Sequence, residues 1–590
     1  MGQFFKMFFA ALLAGVVLLI LPFLVFIGFV SMLANLGEQP EPTVKSGSTL
    51  VIDLSIPIMD RAVEDPMEVF ASFSALSGNV SAPVGLRELT EAIAYAAQDD
   101  RIEGISLTGE SFGGGMAQLV AVRKALDEFR ASGKYITAYA NLYSQGDYIA
   151  KSVADRVFLN PNGPVDFKGL SATTMFFKGF EQKYGVGVQV FRTGKFKSAV
   201  EPFLLDKMSD ENRRQTRELL TSVWDTLSAA VAASRGYDRA WVDRVASERQ
   251  GFTAAGALEC GLVDSLLYAE QYDDYLDSLG GENRVKYADY ARSVSVQASQ
   301  EGQDRIAVVY AQGDIVYGKA RANEIGEQSM RKALEKAAED DRVKAVVLRV
   351  NSPGGVSITA DNIWKMVEDL KAEKPVVVSM GNYAASGGYY ISCGADYIFA
   401  EPTTITGSIG VFAYVPNVEK LAERNGITTD EVSVYPASAD PTLFTPVSPA
   451  LSRVVQHSIE QTYAQFVSRV AQGRGMTPQA VDSIAQGRVW SGVSALQIGL
   501  VDGIGGLEDA IAYAAQLGET EDFSVVEYPK NTSSSLELFL SILGEDAAEA
   551  KIRSVVGEDL YGMYRTVRQA ARSEAPAVLC RMPYGLQVNM

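Results

Sequence analysis

The chain repeats itself, and no other feature constrains its fold as tightly. Ala96-Ala97-Gln98-Asp99-Asp100-Arg101-Ile102 returns about 240 residues later as Ala337-Ala338-Glu339-Asp340-Asp341-Arg342-Val343. Gly113-Gly114 returns at the same offset as Gly354-Gly355. Asn141-Leu142-Tyr143-Ser144-Gln145-Gly146-Asp147-Tyr148 returns one residue further along as Tyr383-Ala384-Ala385-Ser386-Gly387-Gly388-Tyr389-Tyr390. Ala257-Leu258-Glu259-Cys260-Gly261-Leu262-Val263-Asp264 returns as Ala495-Leu496-Gln497-Ile498-Gly499-Leu500-Val501-Asp502. Matches in one order at nearly constant offset indicate a tandem duplication. Within the first copy, helical periodicity over Leu86–Asp99 and Met116–Ala131 alternates with strand-like runs at Ile102–Leu107, Tyr135–Ala140 and Val157–Leu159. That rhythm predicts a mainly parallel sheet covered on both faces. The chain therefore divides into a first repeat domain at 49–288, a linker at 289–304, a second repeat domain at 305–529 and a tail at 530–590. The linker is rich in Ser, Gln, Glu and Gly, and the tail carries helical patterns at 536–543 and 560–571.

Ahead of the repeats, residues 7–36 contain no charged side chain and are long enough to cross a bilayer as a helix. Lys6 precedes this run, and Glu38 and Glu41 follow it. The positive-inside rule then makes 1–6 a cytoplasmic N-terminus, 7–36 a transmembrane signal anchor and 37–48 a linker, with both repeats exported. A long cleaved signal peptide is the weaker reading of the same run. The net charge of −19 argues against a nucleic-acid partner, which needs a basic footprint. Cys260, Cys393 and Cys580 are too scattered for a metal site or a disulfide framework. The single histidine, His457, falls on the polar face of a helix, so a His-rich metal site is excluded and a histidine base is unattractive.

The chemistry concentrates between Pro375 and Glu401. A strand-like run over Pro375–Met380 is followed by a small-residue turn and a helix from Ala384 to Cys393, which puts Ser386 near a helix N-terminus. A serine there can be a nucleophile, because unpaired backbone N–H groups for an oxyanion come with the turn; it can equally be a helix cap. The strand Ala345–Val350 ends in Asn351-Ser352-Pro353-Gly354-Gly355, and adjacent parallel strands would bring that glycine pair beside Ser386. Ser386-Gly387-Gly388 leaves the hydroxyl open, whereas the matched Ser144 is followed by Gln145 and reads as structural. A serine needs a base, and a lysine serves if burial keeps its amine neutral. The first copy offers Lys195 and Lys197, which alternation places on one face near Phe196, Ala199 and Val200. The matching stretch of the second copy, Val432–Pro449, has no lysine. Spacing alone does not choose between the two lysines.

Four motifs carry a resemblance over nearly the whole chain: Lys197-Ser198-Ala199-Val200-Glu201-Pro202-Phe203, Asn351-Ser352-Pro353-Gly354-Gly355, Ala385-Ser386-Gly387-Gly388-Tyr389-Tyr390 and Thr406-Gly407-Ser408-Ile409-Gly410-Val411. The chain resembles the signal peptide peptidase A (protease IV) family in its long, duplicated form. That likeness implies an α/β fold made of a tandem duplication of a Clp protease/crotonase-like domain, preceded by one N-terminal transmembrane helix. It implies a Ser/Lys dyad with Ser386 as nucleophile, Lys197 as general base and acid, and Ser408 orienting the amine. Gly354, Gly355 and Gly387 are implied as candidate donors to the oxyanion, without fixing which pair acts. No cofactor or metal is implied. The implied partners are cleaved signal peptides and other apolar peptides as substrates, the bacterial inner membrane as anchor, with the catalytic domains periplasmic, and further copies of the chain in a homotetramer. Crotonase-like acyl-CoA chemistry needs a carboxylate base and an adenine pocket, and an exported location is awkward for it. The same superfold could also serve a non-catalytic scaffold that binds hydrophobic segments, or a protease for general turnover of damaged membrane proteins.

Overall fold

The computed structural model describes residues 43–62, 83–280, 283–298, 303–318, 320–321, 323–435, 438, 441–529, 579–581 and 587–589. The expected span at 7–36 and the helical patterns at 536–543 and 560–571 lie outside them. Among the described residues no helix is long and apolar enough to cross a membrane.

Each copy folds around its own sheet, and six parallel strands match between the two; the second sheet has two more, Ile405–Gly407 beside Val376–Ala385 and Val489–Ser491 antiparallel to Ile405–Gly407. The first runs Asn283–Lys286, Ser48–Asp53, Ile102–Thr108, Tyr135–Ala140, Arg156–Leu159 and Ser265–Leu266. The second runs Phe523–Tyr528, Asp304–Gln312, Val343–Ser352, Val376–Ala385, Tyr397–Ala400 and Gly503–Ile504. Val343–Ser352 is buried along nearly all its length, as a strand covered on both faces must be, and its β-branched composition suits that position. The covering helices also match. Leu86–Gln98 buries Leu89, Ala92, Ile93 and Ala96, and Glu327–Glu339 buries Met330, Ala333, Leu334 and Ala337. Both sets follow the i, i+3, i+4, i+7 spacing of one helical face. Each large side chain on these stripes contributes about 2 kcal/mol by leaving water.

The stretch expected to be a linker is largely folded. Residues 287–298 form a helix that places Tyr287, Tyr290 and Val294 in the core of the first copy. Their spacing is that of an amphipathic helix, and the polar residues between them give the segment its linker-like composition. The tail likewise returns to the body: Leu579–Arg581 enters a sheet of the second copy, and Gln587–Asn589 pairs antiparallel with Ser171–Thr173.

The copies are joined by a third sheet to which both contribute. Its order is Glu324–Gly326, Asp314–Val316, Gly354–Val356, Leu579–Arg581, Val411–Asn417 and Gly187–Thr193. The last strand belongs to the first copy and pairs antiparallel with Val411–Asn417 over seven residue pairs, Thr193 opposite Val411. A buried ion pair adds a second join: Arg349 Nη2 lies 2.6 Å from Asp60 Oδ1, with both side chains at 1% exposure.

Candidate active site

Ser386 sits at a sharp turn, and the turn is later than the sequence indicates. Val376–Ala385 continues as a strand for ten residues, past the expected break after Met380, and the helix that follows is only Gly387–Tyr390. Parallel pairing of Tyr383, Ala384 and Ala385 with Ile405, Thr406 and Gly407 holds the extra residues extended. The reversal falls on Ser386 itself, with φ 56° and ψ −112°. A serine in that region is strained, and the strain presents its hydroxyl at the tip of a strand-to-helix elbow. A four-residue helix has little macrodipole, so any anion stabilisation here must come from individual N–H groups.

The lysine arrives from the other copy. After Thr193 the strand ends, so the alternation that put Lys195 and Lys197 on one face does not apply: Lys195 is exposed and Lys197 is fully buried. Two close backbone approaches hold the loop. Phe196 N–H donates to Gln486 O at 2.9 Å. Gly487, at φ 84°, lies so near Lys197 that a Cβ there would come within 2.6 Å of the Lys197 N and Cβ. Ala199, Val200 and Phe412 form an apolar wall on the same side.

Lys197 Nζ lies 2.8 Å from Ser386 Oγ, 2.9 Å from the Ser408 carbonyl oxygen and 3.1 Å from Ser408 Oγ. Burial pulls its pKa down to about 7. Among the described residues no carboxylate is hydrogen-bonded to it to restore the charge. The neutral amine has two N–H donors and one lone pair. The Ser408 carbonyl only accepts, and Ser408 Oγ donates to Gly487 O at 3.4 Å, so it too accepts from the amine. Both N–H groups are thereby committed to Ser408, and the lone pair is left facing the Ser386 hydroxyl. This arrangement can remove a proton from serine. Ser408 itself is held at φ 50°, a second non-glycine residue in the left-handed region.

The glycine pair lies beside Ser386 because Val343–Ser352 and Val376–Ala385 are adjacent parallel strands. Gly354 needs its φ of 100°, and a Cβ there would come within 2.6 Å of Gly387 N. Its own N–H is engaged by Ser352 Oγ at 3.1 Å. Gly355 N lies 3.1 Å from the point a Gly387 Cβ would occupy, so the Gly355 backbone closely approaches Gly387, the residue after Ser386. His457 is exposed on the helix Pro449–Arg474.

In the first copy the equivalent place is filled. Tyr148 and Tyr389 each donate a hydroxyl proton to the leucine carbonyl of a Gly-Leu-Val-Asp segment, Leu262 at 2.8 Å and Leu500 at 2.7 Å. Three residues before these tyrosines stand Gln145 and Ser386. The spatial counterpart of Ser386 is thus Gln145, one residue on from the serine that sequence comparison pairs with it. Gln145 is fully buried, accepts from Lys168 N and Gly169 N at 2.8 Å each, and donates to Gly169 O at 3.0 Å. Ser144, on ordinary extended backbone, caps the helix Gln145–Lys151.

Sequence reasoning misses Gly487, Gln215 and Asp60. Gly487 belongs to no glycine pair and gives no signal. Gln215 does leave one: with Asn212 it is a polar residue on the buried stripe of the helix Asp210–Arg235. Its side chain donates to Phe196 O and Ser198 Oγ at 3.1 Å and accepts from Val489 N at 3.3 Å, which ties the lysine loop to the second copy. Gln215→Ala is expected to lower kcat about tenfold with KM nearly unchanged, since the loss of about 1 kcal/mol per bond falls on lysine placement. Equal effects on KM and kcat would assign Gln215 to substrate binding instead.

The family model described as "Peptidase family S49" matches this chain twice, over residues 128–281 and 368–521. The chain is 33% identical to Protease 4 of Haemophilus influenzae, with 90% of each chain covered. It is 34% identical to Protease 4 of Salmonella typhi, covering 92% of this chain and 88% of that one. It is 30% identical to the chloroplastic serine protease SPPA of Arabidopsis thaliana, covering 90% of this chain and 77% of that one.

Proposed function

Because this chain belongs to peptidase family S49 and is a serine protease, we propose that Ser386 and Lys197 are its catalytic dyad and that it degrades released signal peptides and similar apolar peptides at the periplasmic face of the inner membrane. The observation that carries the dyad is the 2.8 Å contact between a fully buried lysine amine and the hydroxyl of a serine on a strained elbow.

In the proposed mechanism the Lys197 lone pair takes the Ser386 proton as Oγ attacks the scissile carbonyl carbon. The developing oxyanion is received by the N–H groups of Gly355 and Gly387. The lysine then returns the proton to the leaving amine, and the acyl-serine forms. A water attacks that ester, gives a proton to Lys197 and releases the carboxylic acid as Ser386 is reprotonated. Ser408 keeps the amine's N–H groups occupied so that the lone pair stays on the serine.

The membrane side of the proposal rests on the uncharged run 7–36 and its charge flanks. An anchor holds the enzyme in the layer where apolar peptides concentrate, which raises the encounter rate without any new contact. Homotetrameric assembly belongs to the same proposal. The exposed Val432, Val434 and Tyr435 are apolar surface of the kind an assembly covers.

The test is kcat/KM for a synthetic signal peptide and for a polar peptide of equal length, measured from pH 5 to 9 on the full chain in detergent. The signal peptide is expected to be preferred by at least about tenfold. Lys197 acts only when neutral, so the rate should rise about tenfold per pH unit below about 7 and level off above it. Equal rates for the two peptides would remove the substrate assignment, and a profile flat from pH 5 to 8 would remove lysine as the base.

A further inference from the structure

The helices Leu86–Gln98 and Met116–Ala131 of the first copy face the start of the helix Leu507–Leu517 of the second across a cavity of about 150 Å³. A space of that size holds a molecule of about six heavy atoms. Its charges do not balance. Glu91, Glu128, Glu401, Glu508 and Asp509 line it, and the cations on its wall are Arg87 and Lys124. Both cations are engaged. Lys124 Nζ lies 2.7 Å from Asp509 Oδ1, and Arg87 is shared by Glu91, by Glu508 at 3.9 Å and by Glu527 at 3.2 Å. Glu401 is left over. It is 4% exposed, and its carboxylate accepts no hydrogen bond among the described residues. Its Oε1 lies 2.6 Å from the point a Gly506 Cβ would occupy, so it turns toward the wall that Gly506 shares with the cavity. Arg349 and Lys124 attract it from a distance, against repulsion by Asp509 and Asp60. Arg349 is already paired with Asp60, as Lys124 is with Asp509. A buried carboxylate with no partner takes up either a proton or a counter-ion. Burial pushes the Glu401 carboxyl up to about 7, so near neutral pH it is ionised often enough to hold one.

We propose that this cavity binds a small primary ammonium ion with a short hydrocarbon chain, the ammonium on Glu401 and the chain against Leu86, Ala121, Ala125 and Leu507. A metal ion suits the place poorly, because among the described residues no three carboxylates are grouped closely enough to hold one. An ammonium asks for less: it carries a single charge, and one buried carboxylate balances it. The apolar part of the wall then has a purpose. Leu86, Ala125 and Leu507 are at 3%, 8% and 5% exposure, and with Ala121 they offer a hydrocarbon stem a surface from which water is excluded. The volume fits a free amine of four or five carbons. Bound there, the ligand touches helices of both copies and braces the joint between them. The inference stands on the cavity and its charges, and does not depend on the dyad.

Isothermal titration of the full chain in detergent with n-butylammonium chloride, at constant ionic strength, tests this; 1-butanol and calcium chloride are the rival ligands. One site per chain is expected, at least about tenfold weaker at pH 6 than at pH 8, because protons compete for Glu401. Glu91, which burial also pushes up to about 7, adds to that fall. Glu401→Gln keeps the shape without the charge and should weaken binding at pH 8 at least about tenfold. Ala121→Leu should weaken it as much by filling the cavity, with every charge left in place. Absence of saturable n-butylammonium binding at pH 8 overturns the inference, and so does binding that survives both substitutions. Equal affinity for 1-butanol overturns it too, since the cavity is then apolar only. Calcium binding that is tighter than the amine and lost in Glu401→Gln overturns the assignment to an ammonium ion.

Discussion

Lys197→Ala is expected to lower cleavage of an apolar peptide by about 10⁴-fold, with assembly and melting temperature close to wild type or slightly raised. The loss is large because the amine is the side-chain partner of Ser386 Oγ at 2.8 Å, whereas His457, the single histidine, is solvent-exposed on its helix. Stability should not fall. A buried lysine with a lowered value opposes folding fully below the folded value of about 7, and the cost fades as pH rises from there to the ordinary lysine value. Removing the side chain removes that cost, against the small cavity it leaves. Lys197→Arg should be equally inactive, since a guanidinium stays charged and has no lone pair to offer. The double variant with Ser386→Ala should be no slower than either single one, as the proposed dyad requires of two residues acting as one unit. Retention of more than a tenth of wild-type kcat by Lys197→Ala would remove it from the mechanism.

Asp60→Ala is expected to destabilise the protein by about 3–5 kcal/mol, seen as a fall of several degrees in melting temperature, and to reduce cleavage as well. Asp60 accepts from Arg349 Nη2 at 2.6 Å and Nε at 3.1 Å, and also from the Asn351 side chain. Arg349 reaches on to Ser379 Oγ at 2.8 Å, and Asn351 Oδ1 accepts from Tyr383 N at 3.1 Å. One carboxylate from the first copy therefore pins the ends of the two strands that deliver Gly354 and Ser386. Without it a fully buried guanidinium is left unpaired. The double variant Asp60→Ala with Arg349→Met removes both charges and should recover most of the stability, though not the alignment of the site. If Asp60→Ala melts within about one degree of wild type, the ion pair carries no such load.

What is local in this protein can be read from the chain alone. The duplication, the helices at 86–98 and 116–131 and the strands at 102–108 and 135–140 follow from periodicity, which depends only on which side of a segment faces water. Ser386 and the glycine pair are legible because strand ends and small-residue turns leave a mark in the residues themselves. The helix at 287–298 is not, because its buried tyrosines are diluted by serine and glutamine, and composition is blind to which face a residue takes. Register between the copies slips by one residue in the sequence, since a serine matched to a serine outweighs a glutamine that only the tyrosine hydrogen bonds align. Three things needed the folded chain: which lysine is buried, which amine hydrogens Ser408 occupies and where the tail lies. Lys197 and Ser386 are 189 residues apart, and nothing in either segment encodes their meeting. It follows from antiparallel pairing of Gly187–Thr193 with Val411–Asn417, a contact between copies whose energy no local pattern records. Burial, and with it the neutral amine, exists only once those strands have closed.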